Sequence, residues 1–166
     1  LDHEESRIEF VTSVLASYVS PASVKAKLIT VLTGGKWRCL SVPSAEMNHL
    51  RPLHETFYDY LSRYDWLLRG DAKPARFKDF VRVRGELFVS GDFESATDNL
   101  NIHVQKEILR LVLQNARHVP NEVKRLAFSS LSLDLLDPSD PNKVRFVKQT
   151  SGQLMGNLLS FPLLCL

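Results

Sequence analysis

A chain of 166 residues that is 44% hydrophobic and 24% charged has the makeup of one globular domain, which excludes a disordered tail. Its net charge of +2 is too small to argue for nucleic acid by itself, so any electrostatic argument rests on where the cations sit. Two cysteines, Cys39 and Cys165, have no paired spacing; that excludes a disulfide framework or a cysteine zinc site and fits a reducing compartment.

In chain order, Ile8, Val11, Val14, Leu15 and Tyr18 recur at helical spacing and predict an amphipathic helix over 4–18, ending before Ser20-Pro21. Val24 to Leu32 is a short mixed segment closed by the turn signal Thr33-Gly34-Gly35, and alternation from Trp37 to Val42 predicts a strand bounded by Pro43. Leu53, Phe57, Tyr60, Leu61, Tyr64 and Leu68 predict a helix from Leu50 to Leu68 with Pro52 in its first turn. Residues 70–80 read as a basic loop, and Glu86 to Ser90 as a short strand leading to Gly91-Asp92. Leu100, Val104, Ile108, Leu111 and Val112 predict a long helix ending near Pro120. Asn121 to Leu131 adds a short helix, Lys143 to Lys148 a strand, and Gly152 onward a further helix. This mixed order predicts an α/β or α+β class.

No secretory signal is visible in the acidic start, and the apolar stretch Leu154 to Leu166 is too short and too interrupted to span a bilayer. The missing initiator Met and the uncapped apolar ending lead us to expect a fragment. The five histidines show no metal spacing, since none forms an i, i+4 pair.

Three stretches carry chemistry. In Gly91-Asp92-Phe93-Glu94-Ser95-Ala96-Thr97-Asp98, two carboxylates separated by five residues could face one cleft. Phosphoryl transfer needs such concentrated charge to hold two metal ions roughly 3.5–4 Å apart. The structural reading of the same residues is a turn, with Ser95 and Asp98 as a variant capping box. In Thr33-Gly34-Gly35-Lys36-Trp37-Arg38, Lys36 and Arg38 share one strand face and suit a phosphate, or are simply two solvated cations on a hairpin. In Gln149-Thr150-Ser151-Gly152-Gln153-Leu154-Met155-Gly156-Asn157, two glycines and small polar groups suit close approach of a sugar or base, or form a plain turn.

Taken in order, these stretches resemble the polymerases of the narnavirus, mitovirus and ourmiavirus-like group of RNA viruses. Lys36-x-Arg38 followed by Leu50-Arg51-Pro52-Leu53-His54 resembles their motif F, the segment from Gly91 to Asp98 their motif A, and Ser151 to Gly156 with Ser160-Phe161-Pro162-Leu163-Leu164-Cys165 their motif B. The Ser-Phe-Pro-x-Leu-Cys ending points to the ourmia-like, or botourmiavirus, branch. The resemblance implies an RNA-directed RNA polymerase that replicates a positive-strand genome by two-metal nucleotidyl transfer. It implies a partial right-hand fold, helix-rich with a few palm strands: fingers with motif F over 1–90 and a partial palm with motifs A and B over 91–166.

By the same resemblance, Asp92 binds both catalytic metal ions, Mg²⁺ or Mn²⁺, and Asp98 helps select ribose. Lys36 and Arg38 neutralise the incoming triphosphate, Gly152 lets the motif B loop move, and Ser151 and Ser160 lie near the nascent pair. The implied partners are an RNA template, nascent RNA and ribonucleoside triphosphates, in the host cytoplasm or, alternatively, the mitochondrion. Two departures stand out. The Gly-Asp-Asp motif C is absent, so the chain is expected to be inactive alone, and Ser160 stands where many viral polymerases carry Asn. The alternative function is a non-catalytic RNA-binding polymerase remnant that holds RNA through Lys36, Arg38 and the basic run from Lys73 to Arg84.

Overall fold

A glycine pair turns the chain back on itself early in the fold. In the computed structural model, which describes residues 3–16, 24–68, 70, 73–78, 80–139 and 143–166, β1 (Lys25–Thr33) and β2 (Lys36–Pro43) form an antiparallel hairpin. Gly34 and Gly35 take φ of 59° and 74°, the positive values that a two-residue type I′ turn requires. The expected strand at Trp37–Val42 is therefore present, and the mixed segment before it is also a strand, with Leu28 opposite Ser41. Before the hairpin lies α1 (His3–Ala16), with Glu4 and Glu5 in its first turn, where the helix dipole favours acidic groups. The predicted end of this helix, at Tyr18 and Ser20-Pro21, lies outside the described residues.

A 3₁₀ turn over Ala45–Leu50 leads into α2 (Arg51–Leu61), with Pro52 in the first turn as expected. Leu53, Phe57 and Leu61 are buried on one stripe, four residues apart. The helix stops seven residues before the predicted Leu68. Ser62 donates its hydroxyl to the Tyr58 carbonyl, and the following Arg63 and Tyr64 amides turn back onto Tyr60 and Leu61. Next come α3 (Ile102–Gln114) and α4 (Asn121–Ser130). α4 lies where it is expected, whereas α3 ends six residues before Pro120 (120 − 114) and buries Ile102, Gln105, Leu109 and Leu113, leaving Val104, Leu111 and Val112 of the predicted stripe exposed. The chain then forms β3 (Asp134–Leu136), β4 (Phe146–Lys148) and the short α5 (Ser160–Leu164).

The four strands make one sheet in the order β2-β1-β3-β4. β3 lies parallel to β1, pairing Lys25 with Asp134, and β4 lies antiparallel to β3. One core joins the sheet to the helices. It contains Val24 and Ala26 beside β1, Leu50, Leu53 and Phe57 around α2, Leu109 and Leu113 of α3, Ala127 of α4, Leu131 and Leu133 ahead of β3, and Leu159 and Leu163 at the end. The fold is thus mixed α and β, as expected from the sequence.

Two expected elements are corrected. Glu86–Ser90 forms no strand: it pairs with no other strand, and Leu87 and Val89 are 81% and 90% exposed. An alternating run needs a neighbouring ladder to become a strand, and no described segment supplies one. The stretch from Gly152 does not continue as a helix either. Gly152 and Gly156 have φ of 67° and 106°, outside the helical region, so the chain turns until α5 begins at Ser160. No described helix is long and apolar enough to cross a membrane.

Candidate nucleotide pocket

The segment after Glu94 is folded onto itself. Ser95 takes a positive φ of 50°, and its carbonyl accepts from the amides of Asp98 (3.0 Å) and Asn99 (3.1 Å). Asp98 therefore sits on a tight turn, four residues before α3. The cap of α3 is Asn101, whose Oδ1 accepts from the His103 and Val104 amides at 2.9 and 3.4 Å. This corrects the capping-box reading of Ser95 and Asp98.

The glycine loop docks against that turn. The Gly152 amide donates to the Leu100 carbonyl at 3.1 Å, and the Gln153 amide to the Thr97 carbonyl at 2.7 Å. A Cβ at position 152 would run into the carbonyl of Asp98, so glycine is required both for its φ and for this approach. Farther along, Gly156 is held against Ser41 of β2. The Ser41 amide and hydroxyl both donate to the Met155 carbonyl, at 2.7 and 3.0 Å, and a Cβ at 156 would meet the Ser41 carbonyl.

Three buried amides hold the loop from behind. Gln149 donates to the Ser151 and Gly152 carbonyls at 3.2 and 2.8 Å and accepts from the Leu133 amide at 3.3 Å. Asn157 donates to the Ser130 carbonyl at 2.7 Å and to Oε1 of Gln153 at 3.1 Å, and its own Oδ1 accepts from the Leu159 amide.

These contacts leave an open surface cavity of about 340 Å³, lined by Asp98, Asn99, Leu100, Asn101, Ile102, His103, Thr150 and Ser151. Two sequence-predicted residues, Asp98 and Ser151, thus meet at one polar pocket although 53 positions apart (151 − 98). Gly152 lies beneath it as the residue that lets the loop close. The other candidates lie elsewhere. Asp92 is on the exposed segment ahead of the turn. Lys36 and Arg38 are exposed at the hairpin end of β2, about 10–17 Å along the strand from Ser41. Ser160 is buried at 5% exposure, its amide donating to the Asn157 carbonyl. Sequence reasoning missed Asn99, Asn101 and His103. Their only signal was position, just after an acidic turn and at a helix start, because no histidine has metal-ligand spacing.

Among the described residues, no group of three or more His, Cys, Asp or Glu could hold a metal ion. Asp92, Glu94 and Asp98 are exposed carboxylates of one segment, each a possible hard oxygen ligand, but they do not form such a group. The described residues by themselves do not make up a two-metal centre.

Comparison with known proteins points the same way as the motif order. The chain is 28% identical, over 165 residues, to the RNA-dependent RNA polymerase of Ourmia melon virus (isolate Melon/Iran/VE9). That match takes in 88% of this chain and 19% of the viral protein, so the chain spans about a fifth of its relative's length. No family model and no solved structure matches it. This chain, with a mixed α and β fold, is thus similar in sequence to part of a viral RNA-dependent RNA polymerase.

Proposed function

We propose that the chain is part of an RNA-directed RNA polymerase of the narnavirus, mitovirus and ourmiavirus-like group, which extends RNA on an RNA template during replication of a positive-strand genome. The observation that carries this reading is the docking of the glycine loop onto the Asp98 turn around one polar cavity, in a chain similar to such a polymerase. Asp98 and Ser151 would face the sugar of an incoming ribonucleotide. Lys36 and Arg38, with Arg able to bind phosphate bidentately, would meet the triphosphate or the RNA backbone. Ser160 would act from behind the loop, since it is buried. Asp92 would supply one carboxylate to Mg²⁺ or Mn²⁺, and the remaining ligands would come from outside this chain. Residues 1–90 would belong to the fingers and 91–166 to the palm, working in the host cytoplasm or the mitochondrion.

The test uses the longest polypeptide in which this chain occurs. Templated incorporation of ribonucleotides should be lost in Asp92→Asn while the thermal melt stays put, because Asp92 is exposed. An unchanged rate would sink the role of Asp92. The incomplete carboxylate set favours one other reading, a non-catalytic RNA-binding module. Such a module would bind RNA equally in chelator and in Mg²⁺, with salt sensitivity only, and would incorporate nothing.

A further inference from the structure

The polar cavity holds a residue that the polymerase motifs do not assign. Two of its amide side chains are tied to the chain itself: Asn99 donates to the Glu94 carbonyl at 3.2 Å, and Asn101 caps α3. Asp98, His103, Thr150 and Ser151 are exposed at the cavity and form no hydrogen bond or ion pair with the described residues through their side chains. The residues lining this space thus include one carboxylate, one imidazole and two hydroxyls, on two segments that backbone hydrogen bonds lock together.

The donor and acceptor balance selects the ligand. A carboxylate only accepts, and it repels phosphate. A neutral imidazole presents one N–H and one bare nitrogen. A sugar hydroxyl has one proton to give and lone pairs to receive, so it is satisfied by donating to Asp98 while accepting from the ring of His103. His103 sits in the first turn of α3, where the Asn101 side chain accepts from its amide and holds its backbone.

We infer that His103 is a further sugar-reading residue, which donates to the ribose 2′-hydroxyl whose proton Asp98 accepts. The inference rests on the polymerase reading above and goes beyond it, since no motif assigns this position. It distinguishes ribonucleotides from deoxyribonucleotides by leaving both side chains without that partner when the hydroxyl is missing.

The experiment measures kcat/KM for ATP and for 2′-deoxy-ATP on an RNA template, in the longest polypeptide carrying this chain. His103→Ala should lower the value for ATP about tenfold, roughly one hydrogen bond's worth, and leave that for 2′-deoxy-ATP nearly unchanged. His103→Gln, which keeps an N–H donor, should restore part of the preference. If the Ala variant melts early, His103→Leu keeps the bulk, removes both nitrogens and gives the same comparison. Equal losses for both nucleotides would mean a structural role at the helix start and would overturn the inference. Wild-type synthesis with an unaltered ratio in the variants would remove His103 and leave the polymerase reading standing. No templated synthesis by the wild type would overturn both.

Discussion

Two glycines show how little freedom the loop has at single positions. Gly152 and Gly156 both combine a positive φ with a backbone carbonyl where a Cβ would go, on Asp98 and on Ser41. Gly152→Ala and Gly156→Ala should each destabilise the chain by about 2 kcal/mol or more, through left-handed strain plus the forced shift of a carbonyl. Gly91→Ala, with open space around it and no positive φ, should change little. Denaturant titration of the three variants checks this; equal midpoints would contradict the packing of the loop. The cysteines offer a second residue-scale test. Cys39 is exposed, whereas burial pushes the Cys165 thiol above its ordinary value. Iodoacetamide should therefore label Cys39 well before Cys165, and labelling of Cys165 should quicken as pH rises, read by mass spectrometry. The linkage has a definite sign. A thiol raised in the folded chain adds stability below its unfolded value, and that contribution is lost as pH rises through the folded one.

Between elements, the join of α4, the loop and α5 depends on one side chain. Asn157 bridges the Ser130 carbonyl at the end of α4, Gln153 in the loop and the Leu159 amide ahead of α5. Asn157→Ala should cost about 2–4 kcal/mol, because a buried carbonyl, amide oxygen and N–H lose their partner together. Asn157→Asp should cost at least as much, since a carboxylate would then face two acceptors. Thermal melts of both variants measure this. The same junction explains why the sequence misled us about Gly152 onward. Its apolar residues read as a helix, but Gln149 accepts from the Leu133 amide and Asn157 donates to the Ser130 carbonyl, 16 and 27 positions away. No spacing rule contains that information.

Across the whole molecule, the outstanding feature is the unpaired apolar run from Phe80 to Phe93. Phe80, Val81, Val83, Leu87, Phe88, Val89 and Phe93 are all exposed, and the Phe80 and Phe88 ring centroids lie 5.0 Å apart. Exposed apolar patches and unpaired extended segments associate. We expect this chain to self-associate as its concentration rises, and Val89→Lys to reduce that association without lowering the melting point, since Val89 is 90% exposed. Sedimentation velocity provides the measurement, and a wild-type chain that stays monomeric throughout would contradict it.

From the sequence alone came the features that local chemistry decides. Gly34-Gly35 specified a hairpin turn, and the apolar stripe Leu53, Phe57 and Leu61 specified one buried face of α2. The order of the three motif stretches pointed to a viral polymerase, and the comparison agrees at that coarse level. These are properties of neighbouring residues, fixed by φ, by side-chain period and by residue type. Only the tertiary structure decided which candidates share a site. It brought Asp98 to Ser151, added His103, buried Ser160, and left Lys36, Arg38 and Asp92 outside that cavity. Contacts across 53 positions (151 − 98) depend on how the chain closes its distant hydrogen bonds and fills one core, and a linear pattern does not encode them residue by residue.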